Sequence, residues 1–278
     1  MDTATAAQLQ DFKILHLVRH AQGMHNVAAE ENTDALESYD LLDAPLSTVG
    51  WQQVCDLRKF VYEHGLVERI ELVITSPMLR TIQTAIGVFG SKGLANELDG
   101  APSMMDQDQN HTAIAAFSCI PVLAVELCRE RLGVQPCNKR RSISKYKSLF
   151  QAVDFSLIES EDDSLWTADH RETHEEVAAR GMKFIKWLWT RKEKEIAIVS
   201  HGVFLQDTLM ALGTKSNLPT KTDLFKRFQN CELRSVIIAG ESLMSLDSLA
   251  NGKNCGRIQF SLQLPNAAAK ENVTEKEH

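Results

Sequence analysis

Apolar residues along the chain fall into short unbroken runs separated by stretches of helical spacing. The first run, over 13–18, has strand length and ends abruptly in Arg19-His20. Ahead of it, residues 1–11 read as a short mobile lead. After it, residues 21–45 are polar, with acidic clusters near Glu30 and Asp34, and read as loop. Ser47 is placed to cap a helix whose positions Val49, Trp51, Val54, Leu57 and Val61 share one face, and Gly65 fits its stop. A second strand over 71–75 breaks at Ser76-Pro77. A helix then opens at Met78-Leu79-Arg80 and runs through Thr84, Ala85, Ile86 and Val88.

Residues 90–112 hold glycines, prolines and polar residues and read as a long loop or insertion. A third strand spans 121–126. Residues 134–170 carry a basic patch (Lys139, Arg140, Arg141, Lys145, Lys147) and an acidic one from Glu159 to Asp163, which together suggest an excursion over the sheet's carboxyl edge. The stretch 172–189 is an amphipathic helix with Val177, Phe184, Ile185 and Leu188 inward. A fourth strand over 196–200 ends in His201, and the helix after it carries Val203, Leu205, Leu209 and Met210. The runs 236–238 and 258–262 are further candidate strands, and 266–278 reads as a disordered tail. Strands alternating with helices predict an α/β fold: a largely parallel central sheet with helices on both faces, in one domain over 1–265.

Composition narrows the class. At 278 residues and 44% hydrophobic, the chain can bury a sizeable single core. A net charge of −7 argues against a general nucleic-acid or membrane binder, while leaving room for one basic cleft. The six cysteines form no CxxC pair, and no secretory pattern precedes them, so they read as reduced thiols. No run of 18 apolar residues occurs. The expectation is a soluble, cytoplasmic protein.

The strand ends carry the candidate chemistry. In an open α/β sheet, ligands gather at the carboxyl ends of the strands. Arg19-His20 closes one such strand, His201 another, and Ser76-Pro77-x-x-Arg80 follows a third. Arginine's planar fork matches phosphate oxygens, so two arginines flanking two histidines specify an anion pocket. A neutral imidazole can attack phosphorus, and a protonated carboxyl can supply the leaving oxygen with its proton.

These residues carry a resemblance. Leu17-Val18-Arg19-His20-Ala21-Gln22-Gly23-Met24-His25-Asn26 is similar to the Arg-His-Gly signature of the histidine phosphatase superfamily, the phosphoglycerate-mutase-like proteins. Asp43-Ala44-Pro45-Leu46-Ser47-x-x-Gly50-x-x-Gln53 resembles its second block. Thr75-Ser76-Pro77-Met78-Leu79-Arg80-Thr81-x-Gln83-Thr84-Ala85 resembles its Ser-Pro-x-x-Arg block, and Val199-Ser200-His201-Gly202 its second histidine. The run from Glu126 to Arg141 looks most like the plant phosphoglycerate-mutase-like members. The resemblance implies that His20 is the phosphorylated nucleophile. It implies that Arg19, Arg80 and His201 bind the phosphoryl oxygens and that Asn26 orients the substrate. It also implies a catalytic glutamate: counting from Pro121 gives Glu130, with Glu126 as rival. Lys139-Arg140-Arg141, in the basic patch, either rims the pocket and selects anionic substrates, with Arg140 as the candidate binding residue, or is simply solvated.

The reading is a phosphatase acting on a small phosphorylated metabolite, with no metal and no cofactor. A phosphoglycerate mutase and a weakly catalytic sensor of a phosphorylated ligand stand as alternatives. The sensor is motivated by Ala21, where the family has glycine, and by Gly23, where it has a hydroxyl residue. Other sites fare worse. His170-x-x-x-His174 has zinc-helix spacing but Arg171 in place of the glutamate, and Asp106-x-Asp108-x-Asn110 lacks the glycine and closing glutamate of a calcium loop. Trp187 and Trp189 read as helix packing. Cys128 carries no sign of thiolate chemistry.

Overall fold

The computed structural model describes residues 12–90, 120–216 and 223–239, with the backbone of 242–243 and 261–262. The amino-terminal lead, nearly all of the 90–112 insertion, the calcium-like loop and the 266–278 tail lie outside the described residues. In chain order the elements begin with β1 (Lys13–Arg19), α1 (Met24–Glu31), α2 (Thr48–Glu63), α3 (Leu66–Arg69), β2 (Leu72–Thr75) and α4 (Leu79–Phe89). They continue with β3 (Val122–Ala124), α5 (Ile143–Leu149), β4 (Val153–Asp154), α6 (His174–Trp189), β5 (Glu195–Ser200) and α7 (Gly202–Lys215). The chain closes on β6 (Leu233–Ala239), β7 (Ser242–Leu243) and β8 (Ser261–Leu262).

The strands form one mixed sheet in the order β4-β3-β2-β5-β1-β6-β7, with β8 also pairing β6. The run from β4 to β1 is parallel, while β6 and the short strands on it are antiparallel. Because side chains alternate across a strand, each parallel strand feeds two cores. Leu15, Leu17, Leu72, Ile74, Ile196 and Ile198 pack against α6 and α7 through Val177, Phe184, Leu188, Phe204 and Leu209. Val18, Val73, Ala197 and Val199 face the other way, onto Val54, Leu57 and Val61 of α2 and Ile82 and Ala85 of α4. Full burial of each Val, Leu, Ile or Phe side chain among these stabilises by about 1.5–3 kcal/mol. His16, buried within β1, bonds Ser235 Oγ at 2.8 Å and Glu195 at 3.0 Å, so it serves the sheet.

The capping signal at Ser47 acts as expected. Ser47 Oγ accepts the Gly50 N–H at 3.0 Å to start α2. Thr173 and Glu176 form a reciprocal capping box at the head of α6. Two expectations need correction. Residues 21–45 are not plain loop, since they contain α1 and two short 3-10 turns. Helix α1 buries only His25 and starts at Gly23 with no side-chain cap, so it lacks both the apolar stripe and the start signal that betray a helix in sequence. Nor is the 134–170 stretch only an excursion, because within it β4 joins the sheet beside β3.

Candidate active site

Three strand ends meet in register. Val18 and Thr75 both pair with Val199. The His20 N–H donates to the Ser200 carbonyl at 2.9 Å, and the Ser76 N–H to the Val199 carbonyl at 3.1 Å. His20 and His201 therefore leave neighbouring strands side by side, with ring centroids 5.2 Å apart in an edge-on contact. Arg80, the second residue of α4, reaches the same point from the third strand, and its Nη2 donates to His201 Nδ1 at 3.2 Å.

The polar residues of the motif blocks hold the backbone around these side chains. Thr84 Oγ1 accepts the Ala21 N–H at 3.1 Å, and Gln53 Oε1 accepts the Gln22 N–H at 2.9 Å. Gln83 Oε1 accepts the Leu46 N–H at 2.9 Å, and the Ser47 N–H donates to the Gln22 carbonyl at 2.9 Å. Ala21 is buried and does not have a positive φ, so its methyl group costs no backbone strain. Gly23 has a reason of its own: a Cβ there would lie 2.7 Å from the His25 ring.

Hydrogen bonding fixes the proton positions. His20 Nδ1 lies 2.7 Å from the Ala21 carbonyl, which only accepts, so Nδ1 carries the proton and Nε2 offers its lone pair. His201 Nδ1 accepts from Arg80, so its Nε2–H donates to Ser76 Oγ at 2.8 Å. Burial, then the nearby Arg80 guanidinium, holds the imidazoles of His20, His25 and His201 well below the usual histidine range. The three rings are neutral near pH 7. Arg19 is pushed down to about 10 by burial first and by Arg227 second, and stays charged.

Buried polar atoms normally have partners, and here several do not. Arg19 Nε, Arg80 Nε and His25 Nδ1 are buried without a hydrogen bond, although Arg19 Nη1 reaches the Phe228 carbonyl and Arg80 Nη1 the Cys137 carbonyl, each at 2.8 Å. Unmatched guanidinium donors whose charges act on a neutral imidazole suit a phosphoryl group. Among the described residues, no cluster of three or more His, Cys, Asp or Glu is placed to hold a metal ion.

The two candidate glutamates separate. Glu126 is ion-paired through both oxygens, to Arg140 at 2.7 Å and Arg129 at 3.1 Å, and anchors the excursion. Glu130 lies against the head of α7, where its carboxylate accepts the N–H groups of Arg131 (3.0 Å), Phe204 (3.3 Å) and Val203 (3.4 Å), and its charge acts on Arg19. Asn26 sits at the head of α1, where its Oδ1 accepts from the Gly23 N–H at 3.0 Å and Asn230 Nδ2 at 3.3 Å.

Arg140 does not fit the role of a rim residue. It is buried, with Nε on Glu126 and its Nη groups on the carbonyls of Arg141, Ser160, Glu161 and Asp162. The basic and acidic patches, which look like separate surfaces in sequence, close on each other. Asp163 takes both Nη groups of Arg129, whose Nη2 also reaches the Asn138 carbonyl, and Asn138 Oδ1 accepts from Arg80 at 2.9 Å. The excursion thus positions Arg80.

Sequence reasoning missed His25, whose ring centroid is 5.4 Å from that of His20, and the segment before β6. Asn230 Nδ2 donates to the His20 carbonyl, and the Cys231 N–H donates to the carbonyls of Arg19 and His20. His25 stood inside the first motif as a signal. The 228–231 segment offered none, since its contribution is mostly backbone. His174 bonds Asp207 rather than His170, Trp187 stacks on Phe184, and burial pushes the Cys128 thiol strongly up.

A profile described as the histidine phosphatase superfamily (branch 1) matches residues 15–101. Phosphoglycerate mutase-like protein 1 of Arabidopsis thaliana is 52% identical over 262 residues, spanning 94% of this chain and 93% of that protein. A second Arabidopsis thaliana relative, named phosphoglycerate mutase-like protein, is 49% identical over 255 residues, 91% of this chain and 94% of its own. Among solved structures, phosphoglycerate mutase from Bacillus anthracis str. Sterne aligns with a TM-score of 0.49 at 15% identity, covering 86% of this chain and 93% of that one.

Proposed function

Because the chain belongs to the histidine phosphatase superfamily, branch 1, we propose that it hydrolyses small phosphomonoesters through a phosphohistidine on His20. One observation carries this reading: the Nε2 lone pair of buried His20 is free, and the charges of Arg80 and Arg19, each with a buried unmatched Nε, act on its ring. In the first step Nε2 attacks phosphorus and the ester P–O bond breaks. Glu130, entering as the acid, gives its proton to the departing oxygen. The Nδ1–H stays on the Ala21 carbonyl and spreads the growing positive charge of the ring. Arg19, Arg80 and the His201–Ser76 pair face the transferring group with donors already in place, so little reorganisation accompanies the reaction.

In the second step water attacks the phosphohistidine, Glu130 takes the water's proton, and the N–P bond breaks to release phosphate and restore Nε2. The hydrolysis scheme is tested with a panel of phosphorylated metabolites. Phosphate release together with an acid-labile, base-stable label on His20 supports it, as does loss of both in His20→Ala. Normal turnover by His20→Ala overturns it. Interconversion of phosphoglycerates without phosphate release assigns a mutase, and tight binding without label assigns a sensor.

A further inference from the structure

The segment that leads into β6 brings more than backbone to the pocket. Its carboxylates are engaged: Asp223 pairs with Lys226 at 2.7 Å, and Glu232 pairs with Arg234 at 2.6 Å while accepting the Gln229 N–H. Exposed Arg227 is left without a carboxylate partner or a side-chain hydrogen bond among the described residues. Its neighbour is another cation. A methyl carbon placed on Gly202 would lie 3.3 Å from Arg19 Nε and 3.5 Å from Arg227 Nε, so the two guanidinium groups flank one small volume at the head of α7. Arg19 Nε is itself buried and unmatched on that side.

Like charges held this close repel; Glu130 and Glu232 offset the charge of Arg19, while Arg227 has no carboxylate paired with it among the described residues. The absence of a side chain at Gly202 keeps the volume open, while the Val203 and Phe204 N–H groups at the head of α7 are already taken by Glu130. The positions of the two arginines differ in use. Arg19 is mostly buried beside His20, whereas Arg227 stands outward of it, on the solvent side. A group held by Arg227 is therefore displaced from the phosphoryl group held by Arg19. We propose that Arg227, over the bare face of Gly202, forms a second anion subsite, and that the substrate is a small phosphoester carrying a carboxylate or second phosphate a short tether away. This rests on the phosphohistidine reading of the site.

The experiment compares phosphoglycolate and ethylene bisphosphate with ethyl phosphate, which offers no second anion. Wild type is expected to favour the doubly anionic esters in kcat/KM. In Arg227→Met the ratio of their kcat/KM to that of ethyl phosphate should fall by about 10- to 100-fold, the range of one charge-assisted contact, with the change in KM. Arg227→Lys should restore part of the ratio. Whether phosphoglycolate or the bisphosphate loses more identifies the second anion as carboxylate or phosphate. A ratio within about twofold of wild type overturns the subsite, including the case where Arg227 holds the transferring phosphate and all three esters suffer alike. A thermal-shift arm needs no turnover. Phosphoglycolate should protect wild type more than inorganic phosphate does, and this advantage should vanish in Arg227→Met. If no ester is turned over and His20 takes no label, the hydrolase reading fails while this arm still decides the subsite.

Discussion

Replacing Glu130 with glutamine isolates the proton donor from the rest of the pocket. The amide keeps an oxygen for the N–H groups of Arg131 and Phe204 and gives up only the long bond from Val203, so the fold should lose about 1 kcal/mol or less. What it removes is the proton for the leaving oxygen and the base for water. General acid catalysis of this kind contributes about 10²- to 10⁴-fold, or about 3–5 kcal/mol of barrier. The size of the defect must depend on the leaving group. An alkoxide needs the proton, so phosphorylation of His20 by an alkyl phosphate should slow by that full factor. The p-nitrophenolate ion departs without a proton, so phosphorylation should stay fast while hydrolysis of phosphohistidine, which needs the base, becomes limiting. Rapid mixing of Glu130→Gln with p-nitrophenyl phosphate should then show a burst of nitrophenol equal to the enzyme, followed by slow turnover, with label accumulating on His20. Equal slowing of both esters without a burst would refute the assignment. Glu126→Gln is the contrast: it breaks the pairs with Arg129 and Arg140 and should cost stability, with no selective effect on poor leaving groups.

Three further expectations concern stability and pH. Burial raises the Asp43 carboxyl from the ordinary 3.8 to about 6, against the opposing bonds from the Leu79 N–H and the Tyr146 hydroxyl. A raised acid adds stability at low pH and loses it as pH rises through 6. Asp43→Asn should therefore be more stable than wild type by about 1–3 kcal/mol at pH 7, the gap closing between pH 6 and 4, and a pH-independent gap in urea denaturation would count against this. Thr84→Val strands the buried Ala21 N–H, and should cost about 1–3 kcal/mol, lowering Tm by about 2–4 °C for each kcal/mol; an unchanged Tm would show the bond to be idle. For His20, His25 and His201 the sign is the reverse of Asp43. Their depressed values favour the neutral folded form, so stability is lost as pH falls below about 6.5, the unfolded value. NMR of the free protein should find all three rings neutral at pH 6, and one of them titrating near 6.5 would contradict the electrostatic account.

Most of the scaffold was readable because its signals are local. The runs at 13–18, 71–75 and 196–200 are largely apolar on both faces, as strands covered by helices on both sides must be, and Ser47 announces its helix by capping chemistry. Helix α1 escaped because it buries little, and the edge strand β4 because two residues carry no periodicity. At the site, Arg19, His20, Arg80 and His201 could be named because each ends or follows a strand. Arg140 could not be judged that way. Its charge looked available for substrate, and only folding turned five donor contacts inward onto Glu126 and the carbonyls of Arg141, Ser160, Glu161 and Asp162.

Chain-local chemistry thus decided which segments become strands and helices, and which strand ends carry guanidinium and imidazole groups. Tertiary structure decided which of those groups meet. The register of β1, β5 and β2 sets His20 beside His201, the 126–163 network aims Arg80, and the segment before β6 supplies Asn230 and Arg227 from more than two hundred residues away in sequence from His20. The physical reason is range. Propensity, capping and periodicity act within a few turns of chain, whereas pairing of charges and burial of donors depend on neighbours that only the completed sheet brings into reach.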